Sequence, residues 1–528
     1  MTWLRMTRTR RLTLAALGSC TVLVLLTART PQGLYDDPAH QFDALVQYTA
    51  GNSPTPVTRI SPSPSDLTRD TSAFVTWWAP GPVLAVLPLV RSGLSLAGAT
   101  RLVVVLGLLV GAIGWARWVD GFSLPDWLAV LLVIGLPWIR FASNNFFLFS
   151  AELFTFAVTP WALVAATSRP RARWHLILIG LALGAPYALK YSLVLTTFGA
   201  LCWVAWRHRR SLADLAALGL GYAFPILTLV LINRLHRAPA NLVTAAPHPE
   251  LRLASLLWAA GAPVLAMADL DSPLQFALYH PGRPHLSNPA LILIPALLVL
   301  PLFLWVLRPR LVCGVAASLA RWVIAGMIIL IVTVWTLTPV VSYEIRHVAG
   351  ASLALLPLVV AGGVVRWHRG TQLVRILLTV AGSVVIALPM GYGVLSVLGK
   401  VRRTPRMTLA GSGVANPLFS ARDVRGCVAW AAQSRPDVWY LPDPVTALDL
   451  PGRAIVRRPD LLSLAALADD SFTASARTRV TILLPPYFEA NGKGPLIRAS
   501  FRGADHWTGA TDPRCNYTRW SATLRPTA

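Results

Sequence analysis

The chain is short of acids. Only 23 Asp and Glu stand against 47 Lys and Arg in 528 residues, and charged residues of both signs make up 13%. A soluble globular protein is about a quarter charged. This scarcity, beside 55% hydrophobic residues, excludes an ordinary soluble protein and places much of the chain in lipid. Cysteine is scarce as well, with five, and no CxxC pair or His/Cys cluster has zinc-site spacing. The sequence contains no convincing nucleotide-binding loop. It also shows no internal repeat, which weighs against a transporter built from two related halves.

What the sequence does have is a succession of apolar runs, each near the length of about 20 residues that crosses a bilayer as a helix. The net charge of +24 invites a nucleic-acid reading. Its distribution argues otherwise. Arg169, Arg171 and Arg173, then Arg207, Arg209 and Arg210, then Arg308 and Arg310, then Arg366 and Arg369 fall in short loops between apolar runs. That is an orientation signal for the cytoplasmic side, and no nucleic-acid partner is expected. The first run, 12–28, follows four arginines and reads as a retained helix, not a cleaved leader, because many spans come after it.

Starting inside, spans are expected near 12–28, 95–116, 127–140, 150–167, 175–189, 191–206, 212–232, 289–307, 320–338, 348–365 and 373–398. This count of about 11 puts every arginine cluster in the cytoplasm and the C-terminus outside. The run from His175 to Trp206 has basic loops at both ends, so it must cross twice, turning near Pro186, Tyr187 and Lys190. The segment 74–90 holds Pro80, Pro82 and Pro88, and a full crossing there would spoil the parity. It reads as re-entrant or broken, a backbone tolerated only where it lines protein or a water-filled cavity.

Two regions lie outside the membrane in this reading. The first outer loop, 29–73, is rich in Pro, Ser and Thr and is expected to be partly mobile. The tail, 400–528, loses the apolar runs and reads as a separate small α/β domain beside the membrane domain of 1–399. Strands are expected at Val438–Leu441, Ala454–Val456, Val480–Leu484 and Leu496–Phe501, with helices at 421–433 and 461–467. Cys427 and Cys515 both lie in this tail, where an oxidising compartment permits a disulfide, two free thiols being the alternative. Cys20, Cys202 and Cys313 read as packing residues. Asn516-Tyr517-Thr518 matches a glycosylation acceptor, a pattern that arises often by chance.

The few acids are unevenly placed. Asp36 and Asp37 follow the first span, with His40 and Asp43 close behind. Glu152 opens a later span on the same outer level, Lys190 sits at the outer hairpin turn, and Tyr343, Glu344, Arg346 and His347 form another short outer loop. Charge at a membrane boundary costs solvation energy unless it faces a polar cavity. A carboxylate can deprotonate a hydroxyl, while Lys and Arg can hold a phosphate. Each residue also has a structural alternative: Glu152 and Lys190 can simply pair, and Arg346 can anchor a helix end at the lipid surface.

This order of motifs resembles the GT-C glycosyltransferases, in particular the branch of the protein O-mannosyltransferases and the aminoarabinose lipid A transferase. Asp36-Asp37-Pro38-Ala39-His40 stands where the family has an Asp-Glu pair and an aromatic. Trp78-Ala79-Pro80-Gly81-Pro82-Val83 is similar to its proline segment, Glu152 to its second acid, Gly180 through Lys190-Tyr191 to its glycine-rich helix and lysine, and Arg346-His347 to its Arg-Tyr loop. The departures are Asp37 for Glu, His347 for Tyr and one residue between the prolines.

The resemblance implies transfer of one sugar from a polyprenyl-phosphate donor to an envelope glycan, lipid or protein acceptor outside the cytoplasmic membrane, by inverting displacement. Asp36 would be the general base, with Asp37 and Glu152 positioning it or the acceptor. Lys190 and Arg346 would bind the carrier phosphate, and His40, His347 and Tyr343 would add hydrogen bonds to sugar or phosphate. Asp36, Asp37 and Glu152 would allow, without requiring, a divalent metal such as Mg or Mn. The composition suggests a GC-rich bacterium, and with it a mannose-like or arabinose-like sugar. A transporter or flippase for a lipid-linked or anionic substrate is the alternative from another class, and a non-catalytic envelope scaffold a third.

Overall fold

The computed structural model of the chain describes residues 6–75, 78–236, 308, 311–337, 345–403, 408–416, 423–457, 459 and 462–526. Among the described residues, helices dominate the part before residue 400 and a mixed sheet dominates the tail. Up to residue 432, the α-helices among the described residues are, in chain order, α1 (Arg8–Thr27), α2 (Asp36–Thr49), α3 (Gly81–Arg91), α4 (Leu96–Asp120), α5 (Asp126–Gly135), α6 (Arg140–Ser143), α7 (Glu152–Thr167), α8 (Arg173–Gly184), α9 (Pro186–Leu189), α10 (Val194–Arg207), α11 (Leu212–Leu235), α12 (Val315–Leu337), α13 (Ala349–Arg369), α14 (Gln372–Gly382), α15 (Leu388–Arg403) and α16 (Val424–Ala432). Among the described residues, Arg8–Thr27, Leu96–Asp120, Asp126–Phe146, Leu212–Leu235 and Ala349–Arg369 are long and apolar enough to cross a membrane. The chain is a multi-pass membrane protein. The expected span at 289–307 lies outside the described residues.

Charge pairing sorts the two ends of the bundle. At one end Arg8 meets Asp120 at 3.6 Å and Asp126 at 3.3 Å, Arg11 meets Asp126 at 2.7 Å, and Arg173 meets Asp214 at 3.4 Å. At the other end Arg101 donates to the carbonyls of Thr27 and Phe146, and Lys400 donates to Asn144. The starts of α1 and α5 therefore lie together, as do the starts of α8 and α11. Helix α8 packs on α11 through glycine: a Cβ on Gly180 would meet the Leu218 carbonyl oxygen at 2.3 Å, and one on Gly184 the Tyr222 oxygen at 2.3 Å. Small residues four apart let apolar helices approach backbone to backbone, gaining dispersion contacts where lipid offers no hydrophobic driving force.

Helices α3, α7, α8 and α10 are short for crossing a bilayer of about 30 Å, with 11, 16, 12 and 14 residues. Helix α3 rises only about 16 Å, so 74–90 does not cross as one helix. These short helices end in turns and 3-10 segments around one polar cavity, where non-helical backbone is tolerated.

The first outer region departs from the expected mobile loop. It forms α2 and a hairpin of β2 (Thr58–Ser63) and β3 (Asp66–Phe74), paired Arg59 to Ala73 and Ser61 to Thr71. Asp43 pairs with Arg59 at 2.7 Å and ties the helix to the hairpin. The hairpin then docks on the tail: Leu67 N–H donates to the Thr473 carbonyl at 2.8 Å, Asp70 pairs with Arg453 at 2.6 Å, and Leu67 is buried beside Val438 and Ile482. Composition misled here because Pro, Ser and Thr read as loop locally, whereas long-range docking orders them.

The tail sheet has the order β6-β5-β7-β9-β8, formed by β5 (Val438–Leu441), β6 (Arg453–Val456), β7 (Thr478–Leu484), β8 (Thr508–Thr511) and β9 (Thr518–Leu524). Strands β6, β5 and β7 are parallel, and β9 and β8 run antiparallel to their neighbours. The strand expected at Leu496–Phe501 is instead the helix Lys493–Ala499. Pro495 sits in its first turn, where a missing N–H costs nothing. Helix α16 begins at Val424 because Asp423 caps it, accepting from Gly426 N–H at 2.8 Å. Cys427 and Cys515 are joined as a disulfide beneath Trp430 and Tyr517.

Candidate active site

The site is assembled by a two-residue parallel pairing. β1 (Gly33–Leu34) lies beside β4 (Leu148–Phe149), and Tyr35 N–H donates to the Phe149 carbonyl at 2.9 Å. This brings the start of α2 next to the start of α7. Asp36 and Asp37 occupy the first turn of α2, and Glu152 the first position of α7. Both helix N-termini favour negative charge through their exposed N–H groups. The acids are thus placed where backbone dipoles offset part of their desolvation.

The other two sides come from later segments. Gly81 opens α3 against α9: a Cβ there would lie 2.5 Å from Leu189 Cα. That close approach sets the turn carrying Lys190 against the Pro80-Gly81-Pro82 segment. The 3-10 turn Ile345–His347 supplies Arg346 and His347. Together these elements line a cavity of about 220 Å³, with Tyr35, Asp37, Trp78, Glu152, Lys190 and Arg346 on its walls.

Its electrostatics centre on Glu152. Lys190 Nζ donates to Glu152 Oε1 at 2.9 Å, to the Arg346 carbonyl at 3.2 Å and, more weakly, to Thr155 Oγ1 at 3.5 Å. Arg346 Nε lies 3.9 Å from the same Glu152 oxygen, its Nη1 lies 3.6 Å from Asp37, and its guanidinium rests 5.6 Å over the Tyr35 ring. Lysine has three donors, and contacts to Glu152 and to the Arg346 carbonyl are the shortest of those described. The structural pairing of Glu152 with Lys190 is therefore real, and its effect is to hold the backbone of Arg346. His347 lines the cavity beside them, and burial, reinforced by Lys190 and Arg346, pushes its imidazole down to about 3.

The residues singled out from sequence fall into three groups. Asp37, Glu152, Lys190, Arg346 and His347 share the cavity. His40 does not line it: helical rotation puts Asp37 and Gln41 on the cavity stripe, and His40 stacks on Trp78 with ring centroids 5.5 Å apart. Asp43 leaves the cluster for Arg59, and burial raises its carboxyl against the pull of that arginine. Asp36 opens α2 through its backbone, while its side chain, like Tyr343, lies outside the described residues. Tyr35, Gln41, Trp78 and Tyr191 also line it and were given no role from sequence. Trp78 and Tyr191 lie within the motifs that carry the resemblance and Tyr35 adjoins the acid pair, and that placement was the signal available.

The donor set fits an anion better than a metal ion. Glu152 faces an ammonium and a guanidinium, and no group of three His, Cys, Asp or Glu among the described residues is arranged to hold an ion. A divalent cation there would meet two like charges, so no step is assigned to one.

The crystal structure of ArnT from Cupriavidus metallidurans bound to undecaprenyl phosphate matches the chain with a TM-score of 0.51 at 12% identity, covering 97% of this chain and 99% of that one. The fold is the GT-C fold. ArnT from the same organism in the apo state matches with a TM-score of 0.48 at 11% identity over the same shares. No family model matches the sequence, and no curated protein matches it. At this identity the likeness concerns architecture, and in this chain the cavity described above sits where the short helices of that architecture end.

Proposed function

We propose that the protein is a membrane glycosyltransferase that moves one sugar from a polyprenyl-phosphate donor to a cell-envelope acceptor by inverting displacement. The observation that carries this reading is the meeting of Asp37, Glu152, Lys190 and Arg346 in one cavity at one end of a GT-C bundle. We place that end, and the sheet-bearing tail from about residue 400, outside the cytoplasmic membrane, as the arginine-rich loops indicate. ArnT's structure with undecaprenyl phosphate supports the class of donor. The sugar is mannose-like or arabinose-like, the suggestion of composition alone.

In the proposed step the acceptor hydroxyl attacks the anomeric carbon as the bond from that carbon to the carrier phosphate oxygen breaks. A carboxylate of the Asp36–Asp37 pair takes the hydroxyl proton, and the carrier leaves as polyprenyl phosphate. Arg346, whose fork suits phosphate, meets the charge developing on the leaving group. Glu152 is held by two cations and is a poor base, so its role is to anchor them. Lys190 fixes Glu152 and the Arg346 backbone, and yields its long bond to Thr155 when phosphate enters.

The test is release of undecaprenyl phosphate from a mannosylated or arabinosylated donor in the presence of envelope acceptor. Asp36→Asn and Asp37→Asn distinguish the two acids: the base should lose about 10²- to 10⁴-fold in turnover with folding intact. Undiminished turnover in both variants would overturn the role of the pair. Donor that is never consumed but crosses proteoliposome membranes would show a transporter instead.

A further inference from the structure

We infer that Trp78 is a sugar platform: a glycosyl-binding subsite beside the phosphate-holding cations, which favours a pyranose presenting a contiguous C–H face. This inference rests on the transferase reading. The indole lines the same cavity as Asp37, Glu152, Lys190 and Arg346. One of its faces is covered by His40, with centroids 5.5 Å apart and planes 13° from parallel. The surface that Trp78 turns to the cavity is therefore the one His40 leaves open. The backbone beneath it is locked as well, because Gln41 Nε2 donates to the Trp78 carbonyl at 3.1 Å and to the Ala79 carbonyl at 2.9 Å. His40 and Gln41 both belong to α2, the helix that opens with Asp36 and Asp37. The ring is thus set in place by the element that bears the acid pair.

The edge of the ring matters too. A buried tryptophan ordinarily finds an acceptor for its N–H, as Trp115 does at the Phe156 carbonyl and Trp118 at the Ala354 carbonyl. Trp78 Nε1–H makes no hydrogen bond among the described residues, and it is not a buried, unsatisfied atom. It is a donor open to a ligand. A flat apolar face, one free N–H and a charged wall alongside match the three surfaces of a glycosyl phosphate: C–H face, hydroxyl and phosphate. A polyprenyl tail needs only apolar contact, and a bare phosphate needs only cations. Neither accounts for an indole fixed by both a stacked imidazole and a side-chain amide.

The experiment is equilibrium binding to the full-length protein in detergent, using undecaprenyl phosphate and its mannosyl and glucosyl phosphodiesters. The wild type should prefer at least one glycosylated lipid over the bare phosphate by about tenfold. Trp78→Leu should bring that ratio to within about twofold without changing affinity for undecaprenyl phosphate. Trp78→Phe keeps a stacked face and should retain most of the preference, which separates loss of the platform from loss of folding. A parallel loss for all three lipids in Trp78→Leu, or an undiminished preference, overturns the platform. Wild type that binds the bare phosphate through Arg346 with no preference for either sugar overturns it while leaving the transferase reading intact. Wild type that binds none of the lipids overturns both.

Discussion

Lys190 and Arg346 carry the same charge and do different work. Lys190 is buried and donates to Glu152, Thr155 and the Arg346 carbonyl. Arg346 is more open, with 28% of its side chain exposed. Breaking a buried ion pair by removing one partner costs about 3–5 kcal/mol. Lys190→Met should therefore lower thermal stability in detergent as well as turnover, whereas Arg346→Met should lower turnover with little change in melting temperature. Equal stability losses would show that Arg346 is structural. His347 sets a pH dependence. Its folded-state pKa, about 3, lies below the ordinary 6.5, so the unfolded chain binds the extra proton between those values. Its contribution to stability is complete above 6.5 and is lost as pH falls toward 3. His347→Gln should flatten the acid side of a stability-versus-pH curve, and an unchanged slope would remove His347 as its source.

At the scale of elements, close approach decides geometry that residue types alone do not. Gly81 has Leu189 Cα 2.5 Å from where a Cβ would stand, so Gly81→Val must push α3 away from the turn bearing Lys190. The expected result is loss of turnover with a stability cost of about 1–3 kcal/mol, read by activity and melting together; full activity would show that the contact relaxes freely. The glycine pair at 180 and 184 and the hairpin turn between Arg173 and Arg207 were legible, because spacing and basic ends are local signals. The first outer region was not. Its turn-forming composition says nothing of Asp43 meeting Arg59 or of Leu67 entering a core of tail residues. Arg59→Ala should leave Asp43 buried without its partner, loosening the hairpin by about 3–5 kcal/mol; the measurement is faster protease cleavage between residues 50 and 75.

For the whole molecule, the tail and the first outer region close over the same end of the bundle as the acid pair. Ala415 N–H donates to the Gln32 carbonyl at 2.7 Å, and Gln32 immediately precedes β1. The disulfide spans 88 residues of the tail, and its removal in Cys427→Ala should cost about 2–5 kcal/mol. That loss should appear as a separate, lower melting transition of the tail, and a single unchanged transition would show that the bridge contributes nothing. In intact spheroplasts, external protease should cut the tail and spare the loops near Arg171 and Arg209; the reverse pattern would invert the orientation. The sequence by itself determined the membrane class, the change of composition near residue 400, the clustering of arginines in short stretches between apolar runs and the short roster of acids and bases. Each of these follows from composition or short-range spacing, which a linear chain records directly. Tertiary structure alone decided that Glu152 is spent on Lys190, that Asp43 and His40 leave the cavity, and that Tyr35 and Trp78 line it. Those outcomes depend on the β1–β4 pairing and on glycine contacts between helices far apart in sequence, whose free energy exists only once the segments meet.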